Sequence, residues 1–164
     1  MNKKLLLVAV FFIFQSSAFI SDGETLPQTL TLPKERGYLQ AVPLDKDRLL
    51  LLSEKNLYCT DTRLNQTTCL FQLGGSHKMK KVALWKSCFF LLSEKGLFMS
   101  EDDGKRWKNV TPAAFSNVDM PTALETAEGA IFIGGGRGIY AARTAAEPFL
   151  KIGTFEPNEP ILSI

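Results

Sequence analysis

The chain has 164 residues, of which 45% are hydrophobic and 22% charged, and its formal net charge is +2. That profile excludes a disordered chain and a nucleic-acid-coating surface, and it fits one ordinary globular domain. Charge so close to balance points to no class of partner.

In chain order, residues 1–18 come first. A basic start (Lys3, Lys4) leads into an apolar run from Leu5 to Phe14, and the small residues Ser16, Ser17 and Ala18 precede Phe19. These are the three regions of a secretory signal peptide, with cleavage expected near Ala18. The alternative is a membrane anchor, but the unbroken apolar run is about half of the ~20 residues that cross a bilayer. No later segment reaches that length, and no Cys stands at the cleavage point to take a lipid, so soluble export to a secreted or periplasmic location is expected. Residues 19–38 read as an extended segment.

From residue 39 the chain repeats itself. Leu51-Leu52-Ser53-Glu54-Lys55-Asn56-Leu57-Tyr58 returns as Leu91-Leu92-Ser93-Glu94-Lys95-Gly96-Leu97-Phe98, forty residues later. A weaker third copy places Gly138-Ile139-Tyr140 on Gly96-Leu97-Phe98, a period of forty-two. Each copy is a chain of hairpins. The first predicts strands over Leu39–Val42, Arg48–Leu52, Leu57–Cys59 and Cys69–Leu73. In the second copy they fall at Lys81–Leu84, Cys88–Leu92, Leu97–Ser100 and Trp107–Val110, and in the third at Ala123–Glu125, Ala130–Ile133, Gly138–Ala141 and Phe149–Ile152.

Four strands in about forty residues is the spacing of a propeller blade, and the 3.6-residue periodicity of helical repeats is absent. The expected fold is therefore all-β, a β-propeller-like array of about three four-stranded blades. The blades span 39–77, 78–118 and 119–155, with the start of a fourth over 156–164. The continuously apolar runs Arg48–Leu52 and Cys88–Leu92 suit inner strands buried on both faces between blades. Asn56, Gly96 and Gly138 share one turn position and are expected to take a left-handed backbone there. An ordinary sandwich of short strands would explain the strands but not the repeated octet.

Ser100-Glu101-Asp102-Asp103-Gly104-Lys105-Arg106-Trp107 fits Ser-x-Asp-x-Gly-x-x-Trp without a mismatch. This octet resembles the Asp-box, the signature of BNR-repeat propellers found in sialidases, sortilin-type receptors and photosystem assembly factors. Its residues have a structural role to play: the hydroxyl of Ser100 and the carboxylate of Asp102 accept bonds from amides of their own turn. Gly104 permits a positive φ, and Trp107 covers the hairpin while its N–H finds a partner. A calcium loop through Glu101, Asp102 and Asp103 is the competing reading, but the twelve-residue pattern with its terminal Glu is missing.

Blade one keeps only the remnant Thr60-Asp61-Thr62-Arg63-Leu64, and blade three, at Ala141-Ala142-Arg143-Thr144, has lost the motif. In an exported chain Cys59 and Cys69, ten positions apart across one hairpin, allow a cross-strand disulfide that would substitute for the lost turn bonds. Cys88 then reads as a small buried thiol. Three Cys and His77 alone show no zinc-ligand spacing, so neither a metal nor a cofactor is expected.

A closed propeller typically needs four to eight blades. Three copies and the apolar stretch Pro160-Ile161-Leu162-Ser163-Ile164 suggest either a piece of a longer propeller or a protomer that completes its ring by self-association. The segment Thr25–Leu32 is a candidate for the outer strand that closes the last blade of an intact ring.

The resemblance to sialidases implies an arginine triad, a Tyr with a Glu partner, an acid Asp and an Arg-Ile-Pro motif. No Arg-Ile-Pro is present, and Arg48, Arg63, Arg137 and Arg143 match no triad by motif. Tyr58 and Tyr140 fall on positions of hairpin packing. Gly134-Gly135-Gly136-Arg137-Gly138 links two strands instead of opening a helix, so it reads as a blade turn and not a phosphate loop. Lys78, Lys80 and Lys81 read as a solvated turn, and Asn65 and Asn109 head glycosylation-type triplets.

The expectation is thus an exported binding or assembly module without catalysis of its own, with a protein or glycan ligand and no nucleic acid. Two rivals stand beside it: a fragment of a sialidase-like glycoside hydrolase, and the luminal part of a sortilin-type sorting receptor.

Overall fold

A computed structural model of the chain describes residues 29–115, 120–127, 129–136, 138–144 and 147–154. The signal-peptide region, Thr25–Gln28, Arg137 and Glu156–Ile164 lie outside the described residues. The described chain is all-β, with twelve strands in three four-stranded antiparallel sheets. They form three blades of an incomplete β-propeller.

Blade one is β1 (Tyr38–Pro43), β2 (Arg48–Ser53), β3 (Asn56–Asp61) and β4 (Gln66–Gln72). Blade two is β5 (Met79–Trp85), β6 (Cys88–Ser93), β7 (Gly96–Ser100) and β8 (Lys108–Asn109). Blade three is β9 (Ala123–Ala127), β10 (Ala130–Gly135), β11 (Gly138–Ala142) and β12 (Leu150–Gly153). Within each blade sequential strands are neighbours. The blades meet mainly through their first strands, β5 touching both β1 and β9. The innermost rank is therefore β1, β5 and β9. The apolar runs β2 and β6, expected to be inner strands, stand second in their blades and are paired on both edges.

The run Phe89–Leu92 of β6 is apolar without interruption because blade two has a neighbour on each side. Successive side chains of a strand leave opposite faces. Phe89 and Leu91 pack with Leu50, Leu52, Leu57 and Val82 between blades one and two. Phe90 and Leu92 pack with Leu97, Met99, Ile131 and Ile133 between blades two and three. Burying one such side chain contributes about 2 kcal/mol, so a polar residue anywhere in Phe89–Leu92 would weaken one seam or the other.

The repeated octet has a turn chemistry of its own. Ser53 and Ser93 are fully buried. Each hydroxyl accepts the amide of Lys55 or Lys95 and donates to the carbonyl of Asn56 or Gly96, closing the β2–β3 and β6–β7 hairpins identically. Gly96 and Gly138 have φ of +113° and +145°. Asn56, at the same position, corrects the expectation: its φ is not positive. It starts β3 as an extended residue opposite Gln72, its amide is held by the Ser53 hydroxyl (2.9 Å), and its side chain bonds Glu35. A bulk-free residue is needed only in the other two blades. There a Cβ would meet Thr111 Oγ1 at 2.0 Å or the Gly153 carbonyl oxygen at 2.2 Å.

Residues 29–37 form no strand and lie against blade one. The Thr31 amide donates to Asn65 Oδ1 (2.8 Å), and the Tyr38 hydroxyl donates to the Pro33 carbonyl (2.8 Å). The described end of Thr25–Leu32 is thus tied to the turn between β3 and β4. Of the closing strand expected over Thr25–Leu32 in an intact ring, residues 29–32 pair with none of these three sheets. Lys80 and Lys81 belong to β5 and not to a turn.

Candidate functional site

The four positions of the Ser100–Trp107 octet come together in one turn between β7 and β8. Ser100, fully buried at the end of β7, accepts the Gly104 amide (2.9 Å), and its hydroxyl reaches Asp102 Oδ1 (3.0 Å). Asp102 Oδ1 accepts the Arg106 amide (2.9 Å) and Asp102 Oδ2 the Arg106 Nε–H (2.7 Å). The Arg106 side-chain bond, then its amide, pulls the Asp102 carboxyl from its ordinary 3.8 down to about 2. Gly104 has φ +82°, and Asp103 before it takes +57° despite its side chain.

Trp107 stands just before β8, and what it holds is a neighbour. Its indole N–H is shared between the Gly104 carbonyl of its own turn (3.0 Å) and the Leu70 carbonyl of blade one (3.1 Å). The ring meets Phe71 edge-on at 5.2 Å, and Phe71 in turn lies 5.1 Å from Phe98 of blade two. A Cβ on Gly104 would come within 2.8 Å of Leu70 Cδ1. The octet is therefore a clasp across a blade seam as well as a turn. Sequence reasoning found its four residues but missed Leu70, Phe71 and Arg106. Two belong to another blade and the third sits at a position the motif leaves open.

The disulfide expectation is corrected by register. Cys69 lies opposite Tyr58, and Cys59 opposite Thr68, so the two thiols leave opposite faces of blade one. Cys59 packs toward blade two while Cys69 is exposed; both are free thiols, as is Cys88. Burial pushes the Cys59 and Cys88 thiols up. The blade-one turn is held otherwise. Asp61 Oδ1 accepts the amides of Arg63 and Leu64 (2.9 Å each), Thr60 bonds Thr67 across the strands (3.0 Å), and Asn65 supplies the positive φ.

Polar groups elsewhere are mostly engaged within the fold. Arg48 pairs with Asp45 (2.7 Å) and Arg63 with Asp47 (3.6 Å), which disperses rather than gathers the arginines. The Tyr58 hydroxyl donates to Glu35 Oε1 (2.6 Å), and Asn56 Nδ2 bonds the same oxygen (2.6 Å). Burial, then the bond to Glu35, pushes the Tyr58 hydroxyl far up, so it keeps its proton. The same bond lowers the Glu35 carboxyl. Tyr140 packs against Phe115 at 4.8 Å in the second seam. Lys78 pairs with Glu54 (2.8 Å), and Lys81 pairs with Glu125 across the second seam. Glu101 pairs with Lys108. Among the described residues no three His, Cys, Asp or Glu side chains converge as metal ligands, and no helix is long and apolar enough to cross a membrane.

The outward faces of the end blades differ. On blade one the Ala41–Leu51–Tyr58–Cys69 row meets Glu35 of the N-terminal segment. On blade three the row Phe132–Ala141–Leu150 faces away from blade two. There Leu150 is 66% exposed, and Ile152 on the same edge strand is 58% exposed.

No family model and no curated protein matches the sequence. Solved structures do resemble the fold. The extracellular domain of a hybrid two component system from B. thetaiotaomicron superposes with TM-score 0.60 at 14% identity, over 80% of this chain and 18% of that one. An ancestral GH74 enzyme gives 0.58 at 11% identity, over 80% and 20%. The N-terminal domain of Nup159 gives 0.54 at 12% identity, over 74% and 31%. The chain thus spans less than a third of each of these structures, and at such identities the likeness is one of fold.

Proposed function

We propose that the chain is an exported Asp-box propeller module that binds or assembles and has no catalytic activity of its own. The observation that carries this reading is the outward face of blade three, where Leu150 and Ile152 are exposed. An apolar row ending on an edge strand is a template for a further β-sheet surface. Blade one, at the other end, has its own segment on that face. The partner is a protein or glycan, with a second copy of the chain the simplest candidate. The Ser100–Trp107 octet serves architecture in this reading, and export rests on the leader-like residues 1–18.

A sialidase-like reading has one observation in its favour, the Tyr58–Glu35 pair. Its electrostatics oppose that use, since a nucleophilic phenol needs a lowered pKa and Tyr58 has a raised one. The test is sedimentation velocity of the exported protein over rising concentration, beside its Leu150→Lys variant. Heavier species in the wild type that the variant lacks would support the module. Hydrolysis of a fluorogenic sialoside by the native protein would overturn it.

A further inference from the structure

The two seams repeat each other up to their outer third. In the first seam the site is filled by the Trp107 indole, Leu70 and Phe71. In the second, the forty-two-residue period puts Phe149 at the place of Trp107. The strand opposite also changes: seven-residue β4 gives way to two-residue β8. Matched through their pairing partners, Leu70 and Phe71 become Val110 and Thr111. Thr111 turns its hydroxyl back to the Leu97 amide (2.9 Å) and does not fill the seam.

What remains is an open groove of about 540 Å³. Phe90, Met99, Ile131 and Ala142 form its buried floor, and Val110 and Phe149 stand at its walls. Glu147 is the one ionisable side chain in the lining and makes no ion pair among the described residues.

We propose that this groove is a binding site for an aromatic amine: a flat ring with a cationic tail. The ring fills the space that Leu70 and Phe71 fill in the first seam, and the ammonium group meets Glu147. The volume is that of an ordinary small-molecule pocket, mostly apolar with few polar groups that orient the ligand. Charge complementarity selects the amine over an acid of the same size.

Tryptamine and indole-3-acetate are the probes, titrated calorimetrically into the native protein. Tryptamine is expected to bind at millimolar concentration or below, as its atom count allows, with indole-3-acetate at least about 5-fold weaker. Glu147→Gln, at an exposed carboxylate, should erase that preference, and Val110→Trp should fill the groove and abolish binding of both. Equal affinity for amine and acid overturns the proposal, as does a preference that survives Glu147→Gln. If Val110→Trp fails to fold, the Glu147→Gln comparison decides alone.

Discussion

The first seam is closed by a clasp and the second is not, although one blade supplies a face to both. Blade two gives Phe89, Leu91 and Phe98 to the first and Phe90, Leu92 and Met99 to the second, similar apolar stripes from the same strands. The difference lies beyond them. Blade two carries the octet that reaches back to blade one, and blade three carries no octet to reach back to blade two. A shared core geometry can thus coexist with a clasped edge at one seam and a groove at the next. The edge residues decide which seam is structural and which is available to a ligand.

The contrast breaks most sharply at Trp107. Trp107→Ala removes a ring packed on Phe71 and both indole bonds, and should cost about 3 kcal/mol. Phe149→Ala should cost about 1 kcal/mol, because its ring lines the groove and carries no counterpart of the two indole bonds. Urea unfolding of the two variants checks the order, and equal losses would mean that the seams are equally tight.

Smaller effects sharpen the assignment to the seam. Gly104 and Gly129 both have positive φ, +82° and +74°, but only Gly104 has a neighbouring blade within reach of an added Cβ. Gly129→Ala should cost about 1 kcal/mol from backbone strain alone, and Gly104→Ala about 2 kcal/mol, the excess being the displacement of Leu70. Leu70→Ala in the Gly104→Ala background should remove that excess, measured as a double-mutant cycle of thermal midpoints.

The smallest effect is that of acid. The folded value of Asp102, about 2, lies below its ordinary 3.8. Folding therefore favours the ionised form, and the stability it contributes is present above about pH 4 and lost as pH falls through about 2. The wild type should lose more stability than Asp102→Asn over that window. Parallel acid titrations of the two would remove the assignment.

Strand positions, the three-blade repeat and the octet were legible in the sequence, because they are written in local patterns of apolar residues, turn residues and repeated spacing. The β2–β3 and β6–β7 turns are a case in point: the repeated Ser-Glu-Lys carries its own hydrogen bonds, so its recurrence reports a recurrent structure. Asn56 shows the limit of that logic. The same turn position is served without a positive φ in blade one, where the Ser53 hydroxyl holds the Asn56 amide and Glu35 holds its side chain.

The tertiary structure decided everything that depends on which residues face each other. A one-residue offset in the pairing of β3 with β4 separates Cys59 from Cys69, because each step along a strand reverses the face. Spacing in the chain cannot show that offset. Nor can it show that Trp107 bonds a carbonyl thirty-seven residues earlier, or that a short β8 and Phe149 leave a groove. Such features arise from the packing of one sheet on another. Local pattern determines that the sheets form, and side chains from separate blades determine what closes or stays open between them.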